Sequence, residues 1–461
     1  MGVFEVKETK GNEFLATAPV GRLLIKLAVP TVAAQIINML YNIVDRIYLG
    51  HMPGDGKLAL TGVGVCMPII LIVSAFAALV GSGGAPRASI FMGKGDDDSA
   101  QRIMGSCLCA TLLTALVLTA AQLIFWRPFL MAFGASEETI GYAGDYIRIY
   151  ALGTVFVLLT LGMNAYISAQ GFTSVSMRTV LIGALCNIAL DPIFIFAFKM
   201  GVRGAALATI VSQAVSCIWV MRFLTSEKSV IRLKRECLRL DIKVLLPCLA
   251  LGIAPFIMQG SESLVVVCFN SSLQSYGGDI AVGAMTILSS VMQFAQMPSY
   301  GLAQGAQPIM SYNYGAGNLE RVKKTFLLLL LWSLCYSLAV WLAVIGLPHV
   351  FAGIFTPDAE LMAYSASALR IYCAVLFVMG IQAACQMAFV SLGKAAASVL
   401  VAVVRKFVLL IPLIYIMPAI MDDKVKAVYM AEPVADFMAV SFTVILFIFS
   451  FRKVLKQGEK N

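Results

Sequence analysis

The sequence predicts an all-α membrane protein: twelve transmembrane helices in two six-helix bundles related by a pseudo-two-fold axis along the membrane normal. Three observations predict it. Of 461 residues, 60% are hydrophobic and 13% charged, against roughly 45–50% and about 25% in soluble domains. Twelve apolar stretches, near 23–49, 58–84, 102–125, 145–168, 176–198, 204–223, 244–270, 280–306, 323–347, 362–389, 397–418 and 430–451, approach or exceed the roughly 20 residues that a helix needs to cross hydrocarbon. The first six stretches also resemble the last six at a constant offset of 222 residues.

The first twenty residues are too polar for a cleaved signal (Glu5, Lys7, Glu8, Lys10, Glu13), so the run that follows is read as a retained first span. An even number of spans puts both termini on one side. The termini and the loops of that side carry 23 of the 34 Lys and Arg, against 6 on the other. The excess predicts cytoplasmic termini in a multi-pass protein of the plasma membrane. It also explains the net charge of +9 without a nucleic-acid partner. The basic segment 222–243 separates an N-lobe, 1–221, from a C-lobe, 244–461. Across the offset, Gly83, Pro86, Gly93 and Gly95 match Gly305, Pro308, Gly315 and Gly317; Arg148-Ile149-Tyr150 matches Arg370-Ile371-Tyr372. Six spans per half give the halves the same orientation, a parallel repeat whose natural substrate position is the cleft between them.

Several chemistries are excluded. The eleven Cys show no CxxC pair, and His51 and His349 both fall in predicted loops, so no zinc site or histidine-ligated metal centre is readable. Gly93-Lys94-Gly95 lacks the Ser/Thr and the strand of a phosphate-binding loop, so ATP is not hydrolysed by this chain. An intramembrane enzyme would need a nucleophile–base pair or a second metal-ligand set, and neither is present in the spans. In 93–102 and 315–324, glycine ends one helix and Asp98 or Asn318 is expected to cap the next.

A charged side chain in a span is unfavourable by at least about 2.5–3.5 kcal/mol, so an intramembrane carboxylate marks function until a partner is found. Asp45 lies roughly 7 Å below the outer end of span 1, Asp191 about 12 Å down span 5 and Thr209 about 9 Å down span 6, at 1.5 Å per residue. Asn187 is one turn from Asp191 on the same face, and Pro192 leaves the carbonyl of Ile188 free beside it. These four side chains read as a site for a proton or a small cation. Arg46 points about 100° away from Asp45 and is expected to snorkel outward. In the second half Glu262 stands with Gln259, Ser261 and Ser263, as counter-charge for a cationic substrate or as a proton carrier; Glu432 and Asp436 read as a solvated start of span 12.

This pattern resembles the multidrug and toxic compound extrusion (MATE) family of secondary transporters. The resemblance is carried by Pro30 and Asp45 in span 1, Asn187 and Asp191 in span 5, and Thr209 in span 6. It implies an N-lobe cation site at Asp45, Asn187, Asp191 and Thr209, drug-contacting positions at Asn38, Tyr41, Asn164 and Gln213, a C-lobe acidic position at Glu262 and a hinge at Pro30. The implied activity is export of cationic amphiphilic drugs or metabolites in exchange for H⁺ or Na⁺, by a monomer in the bilayer, with no cofactor beyond the coupling ion. The runner-up, a lipid-linked oligosaccharide flippase of the same superfamily, would favour cations in the cleft to hold a pyrophosphate.

Overall fold

The computed structural model describes residues 13–52, 56–356 and 358–458. Lys7, Lys10 and Lys460 of the basic count, like Glu5 and Glu8, lie outside these residues. Every long element is a helix: α1 Val20–Gly50, α2 Gly56–Gly93, α3 Asp97–Ala132, α4 Ile140–Ala169, α5 Thr173–Pro192 continued by a π-helical turn Ile193–Ala197, and α6 Val202–Thr225. The next helix, Ile242–Gly315, has 74 residues. At 1.5 Å per residue it would measure about 110 Å, several times the roughly 30 Å hydrocarbon core. It is two spans. The backbone leaves the helical region at Gly278, with φ +65°, dividing it into α7 (242–277) and α8 (279–315). Beyond it lie α9 Leu319–Gly346, α10 bent by 49° between Ala359–Tyr372 and Leu376–Ser391, α11 Ala395–Ile420 and α12 Lys424–Gly458.

Ten helices among the described residues are long and apolar enough to cross a membrane, and the bent α10 makes eleven. The break at Gly278 brings the number of helical segments to the twelve read from the sequence. His349 falls in a short helix, Pro348–Gly353, rather than in the expected loop.

Helix boundaries repeat at the offset of 222 residues. Val20 and Ile242 start α1 and α7, Asp97 and Leu319 start α3 and α9, Thr173 and Ala395 start α5 and α11, and Val202 and Lys424 start α6 and α12. The turns repeat as well. Gly95 and Gly317 adopt φ +77° and +75°, a conformation that a side chain resists. The following Asp96 and Asn318 then accept the N–H of Ser99 and Arg321, 3.0 and 3.3 Å away. The cap is therefore Asp96, the true counterpart of Asn318, and not Asp98.

Each half begins inside the other. Leu23, Leu24, Leu27 and Ala28 of α1 are buried with Ala303, Ile309, Phe389 and Phe447 of the second half. Leu245 and Cys248 of α7 are buried with Met104, Cys107 and Tyr166 of the first. Glycines allow the crossings, because the Cβ position of Gly83 meets the Cys248 backbone and that of Gly252 meets Leu79. On the other crossing, Gly305 meets Ala28 and Gly301 meets Val32. At the end of the molecule where α1 and α7 start, Gly93 lies on the backbone of Tyr312 and Gly315 on that of Ile90. This end is sealed by backbone contact between the halves. α1 runs unbroken through Pro30, and just beyond it Thr31 Oγ1 donates to the Gly301 carbonyl at 2.6 Å while Gln35 donates to Gln304 at 3.1 Å.

A methyl group at Gly93 or Gly315 has no room in this arrangement. Spin labels placed on α2 and α8 near this end should show longer and broader separations by double electron–electron resonance in Gly93→Ala and Gly315→Ala. Gly64→Ala and Gly260→Ala, where an added Cβ meets nothing within 4 Å, should leave the separation unchanged. An unaltered distribution in the first pair would refute the seal.

Candidate ion and substrate sites

Asp45 comes from α1 five residues before its end, and Asn187 and Asp191 from one face of α5, just ahead of Pro192 and the π-helical turn. Asn187 and Asp191 are 0% exposed. The carboxyl groups of Asp45 and Asp191 sit against each other. Neither carboxyl oxygen of Asp191, neither polar atom of the Asn187 side chain, nor Oδ1 of Asp45 has a hydrogen-bond partner. Among the described residues no cation forms an ion pair with either acid, and Arg46 is exposed. Two facing carboxylates without a donor between them repel each other and lose hydration. The arrangement is completed by whatever supplies positive charge, a shared proton or a small hard cation that accepts oxygen ligands.

Tyrosines close this site. Tyr41 is one turn before Asp45 and interacts electrostatically with Asp45, Asp191 and Tyr150. Tyr146 and Tyr150, one turn apart on α4, stack with ring centres 6.1 Å apart, and Tyr146 reaches both Asp45 and the Thr209 side chain. The Thr209 hydroxyl also donates to the Ala205 carbonyl at 3.0 Å, leaving its lone pairs available. The structure thus brings Asp45, Asn187, Asp191 and Thr209 into one region, as read from the sequence. Tyr146 and Tyr150 were missed as site residues. Their i, i+4 spacing on span 4 was the available signal, but Tyr150 served there only to set the repeat.

A cavity of about 830 Å³ lies between the halves. Its lining runs from Pro86, Ser168 and Gln307, between the glycine crossings and the sealed end, to Arg46, Leu60 and Phe355 near the opposite end. Asn38, Tyr41, Asn164 and Gln213 line it together with Asp45 and Thr209. Oδ1 of Asn164 and Oε1 of Gln213 have no partner in the protein. Asn164 donates to the Ser176 carbonyl at 3.4 Å, and at the offset of 222 Gln386 does the same to Ser398, also at 3.4 Å. The wall from the second half includes Gln259, Gln293, Gln382, Phe294, Tyr300 and Met379.

Three sequence readings are corrected in the second half. Glu262 is not part of the cavity wall, because Lys406 Nζ holds its Oε1 at 2.8 Å. Glu432 and Asp436 are not a solvated helix start but 4% and 2% exposed. Arg405 Nε lies 2.8 Å from Asp436, and its Nη2 lies 3.8 Å from Glu432. The cavity also has a cation on this wall, since Arg405 lines it. The π-helical turn Val404–Leu410 carries both cations, and as neighbours they point to different helices, Arg405 to α12 and Lys406 to α7.

Comparisons with known proteins agree with this architecture. A family model described as MatE matches the chain twice, over residues 30–193 and 253–416. The chain is 24% identical over 428 residues to the multidrug export protein MepA of Staphylococcus haemolyticus, covering 91% of this chain and 92% of that protein. To MepA of Staphylococcus aureus it is 23% identical over 411 residues, covering 88% and 89%. Among solved structures, a MATE protein in the bent conformation superposes with a TM-score of 0.91 at 22% identity, over 98% of this chain and 100% of that one. A MOP superfamily transporter from Pyrococcus furiosus, described as having a binding pocket of reverse polarity that suggests a different function, gives 0.89 at 21% identity, over 97% and 99%.

Removing one member of a buried ion pair strands the other. Arg405→Met should therefore destabilise the protein by about 3–5 kcal/mol, read as a lower midpoint in detergent thermal unfolding. The exposed pair of Arg203 with Asp145, 2.9 Å, provides the contrast: Arg203→Met should lose less than about 1 kcal/mol. Equal losses would contradict the assignment of Arg405 to a desolvated pair.

Proposed function

The chain belongs to the MatE family, multi-pass membrane transporters rather than enzymes, and on that premise we propose that it exports drug-like or metabolite molecules in exchange for H⁺ or Na⁺. The observation that carries the proposal is the facing pair Asp45 and Asp191, with Asp191 fully buried and, among the described residues, no cation ion-paired with either acid. A cation taken up there from the outside and released to the cytoplasm supplies the driving force. One charge moved down a potential is worth about 2.3 kcal/mol per 100 mV, enough to bias two conformations of a carrier.

In this reading 1–221 and 244–461 act as lobes, the sealed end with both termini faces the cytoplasm, and the cavity opens outward. Substrate rests between Asn38, Tyr41, Asn164 and Gln213 on the N-lobe wall and the glutamine-rich wall of the C-lobe. Cation binding cancels the repulsion between Asp45 and Asp191 and holds α1 against α5. Pro30, which cannot donate to the carbonyl one turn back, is the point where α1 would bend and shrink the space beside Asn38 and Tyr41. Lipophilic cations are the favoured cargo, because Asp45 faces the cavity unpaired while Arg405 is already matched by Asp436. That same match leaves Arg46, at the outer end, as the lone unmatched cation among the charged residues lining the cavity, which weighs against a flippase that would gather several cations on a pyrophosphate.

Efflux of a lipophilic cationic dye from proteoliposomes, driven by a pH or a sodium gradient imposed separately, tests the function and chooses the ion. Asp45→Asn and Asp191→Asn should each reduce gradient-driven efflux at least tenfold while leaving inserted, folded protein; wild-type rates in either variant would refute the site. Fluorescent reporters that mature only in the cytoplasm, fused to either terminus, should both light up. A dark reporter at both ends would reverse the orientation.

A further inference from the structure

Five ionisable side chains of the second half form a cluster, buried except at Glu262, that the exchange described above does not use. Arg405 and Lys406 on α11 face Glu262 on α7 and Glu432 and Asp436 on α12. Tyr372 and Cys373, at the bend of α10, are the remaining titratable groups turned toward these acids. Two cations against three carboxylates leave one negative charge in excess. The geometry shows where it falls. Asp436 receives Arg405 Nε at 2.8 Å and Glu262 receives Lys406 at 2.8 Å, whereas Glu432 has only a 3.8 Å approach of Arg405 to Oε1. Its Oε2 is buried without any hydrogen-bond partner, in a residue 4% exposed.

We propose that Glu432 holds a proton, making the cluster a second proton-binding site of the transporter, separate from the Asp45–Asp191 pair and closed to Na⁺. An isolated negative charge in this setting is more costly than a neutral carboxylic acid. A metal ion is the poorer way to neutralise it, because a guanidinium and an ammonium already stand on the carboxylates that would ligate it. A proton needs no ligand shell and fits on an oxygen that has no partner. The first-half site has the opposite character: carboxyl, amide and hydroxyl oxygens with no built-in cation. Because Arg405 also lines the cavity, the proton on Glu432 is one side chain away from bound substrate.

Glutamate labelling separates the two sites, since the acids of the first are both aspartates. Protein carrying carboxyl-¹³C glutamate, reconstituted in sodium-free liposomes near neutral pH, is examined by infrared spectroscopy in the protonated-carboxyl C=O region. The expected result is a band that shifts with glutamate labelling, persists in Asp45→Asn and Asp191→Asn, is absent from Glu432→Gln and is unmoved by added Na⁺. No label-sensitive band in the wild-type protein would overturn the proposal, and this measurement needs no variant to fold. Loss of the band in Glu262→Gln but not Glu432→Gln, or its removal by Na⁺, would also overturn it. None of these outcomes depends on whether Asp45 and Asp191 drive efflux.

Discussion

An ionised side chain in hydrocarbon must be neutralised, and most of what distinguishes this protein follows from how its two halves meet that constraint. In the second half the chain neutralises itself, with Arg405 and Lys406 placed on Asp436, Glu262 and, more distantly, Glu432. In the first half it does not. Asp45 and Asp191 face each other among tyrosines, and among the described residues no cation is ion-paired with either; the exposed Arg46 acts on Asp45 only from a distance. One half is electrostatically nearly complete and the other leaves its two acids facing each other, which on the proposed function is where an ion gradient acts.

The asymmetry is laid over a repeat that is otherwise well kept. At the offset of 222, Asp45, Asn187 and Asp191 correspond to Val267, Leu409 and Leu413, while Glu262, Arg405 and Glu432 correspond to Leu40, Gly183 and Ile210. Charge therefore occupies positions in each half that are apolar or small in the other. The backbone features that hold the halves together are shared instead: helix starts, left-handed glycines at the turns, and Gly83 and Gly305 at the crossings. On the proposed function, symmetric crossings are where the halves would rock and the asymmetric chemistry is what would give the rocking a direction. Sealing by backbone contact suits such a motion, because a glycine seam carries few interlocking side chains to break.

The fold was legible because its determinants are local and repeated: apolar run length sets each span, and a constant offset sets the pairing of the halves. The break at Gly278 was legible for the same reason, as the counterpart of the start of α2 at Gly56. The first-half site could be read because carboxylates in apolar runs are conspicuous and depth follows from counting residues. What escaped were the ion pairs and ring contacts made between helices in the second half and on α4. Glu432 and Asp436 read as a solvated helix end, Glu262 as a counter-charge or proton carrier, and nothing in the sequence set Arg405 and Lys406 against them. Only the packing of α7, α11 and α12 reveals them as one cluster. Tyr146 and Tyr150 escaped similarly, since their i, i+4 spacing marks a shared face of span 4 but not the carboxyl groups that it meets.

The account rests on one exchange, substrate against the ion shared by Asp45 and Asp191. It is tested most directly by adding a lipophilic cationic dye to the purified protein in weakly buffered, sodium-free detergent solution and recording proton release. The wild-type protein should release protons as the dye binds, or Na⁺ when the same titration is run on sodium-loaded protein, and Asp45→Asn or Asp191→Asn should sharply diminish that release while still binding the dye. Undiminished release from both variants would contradict the account.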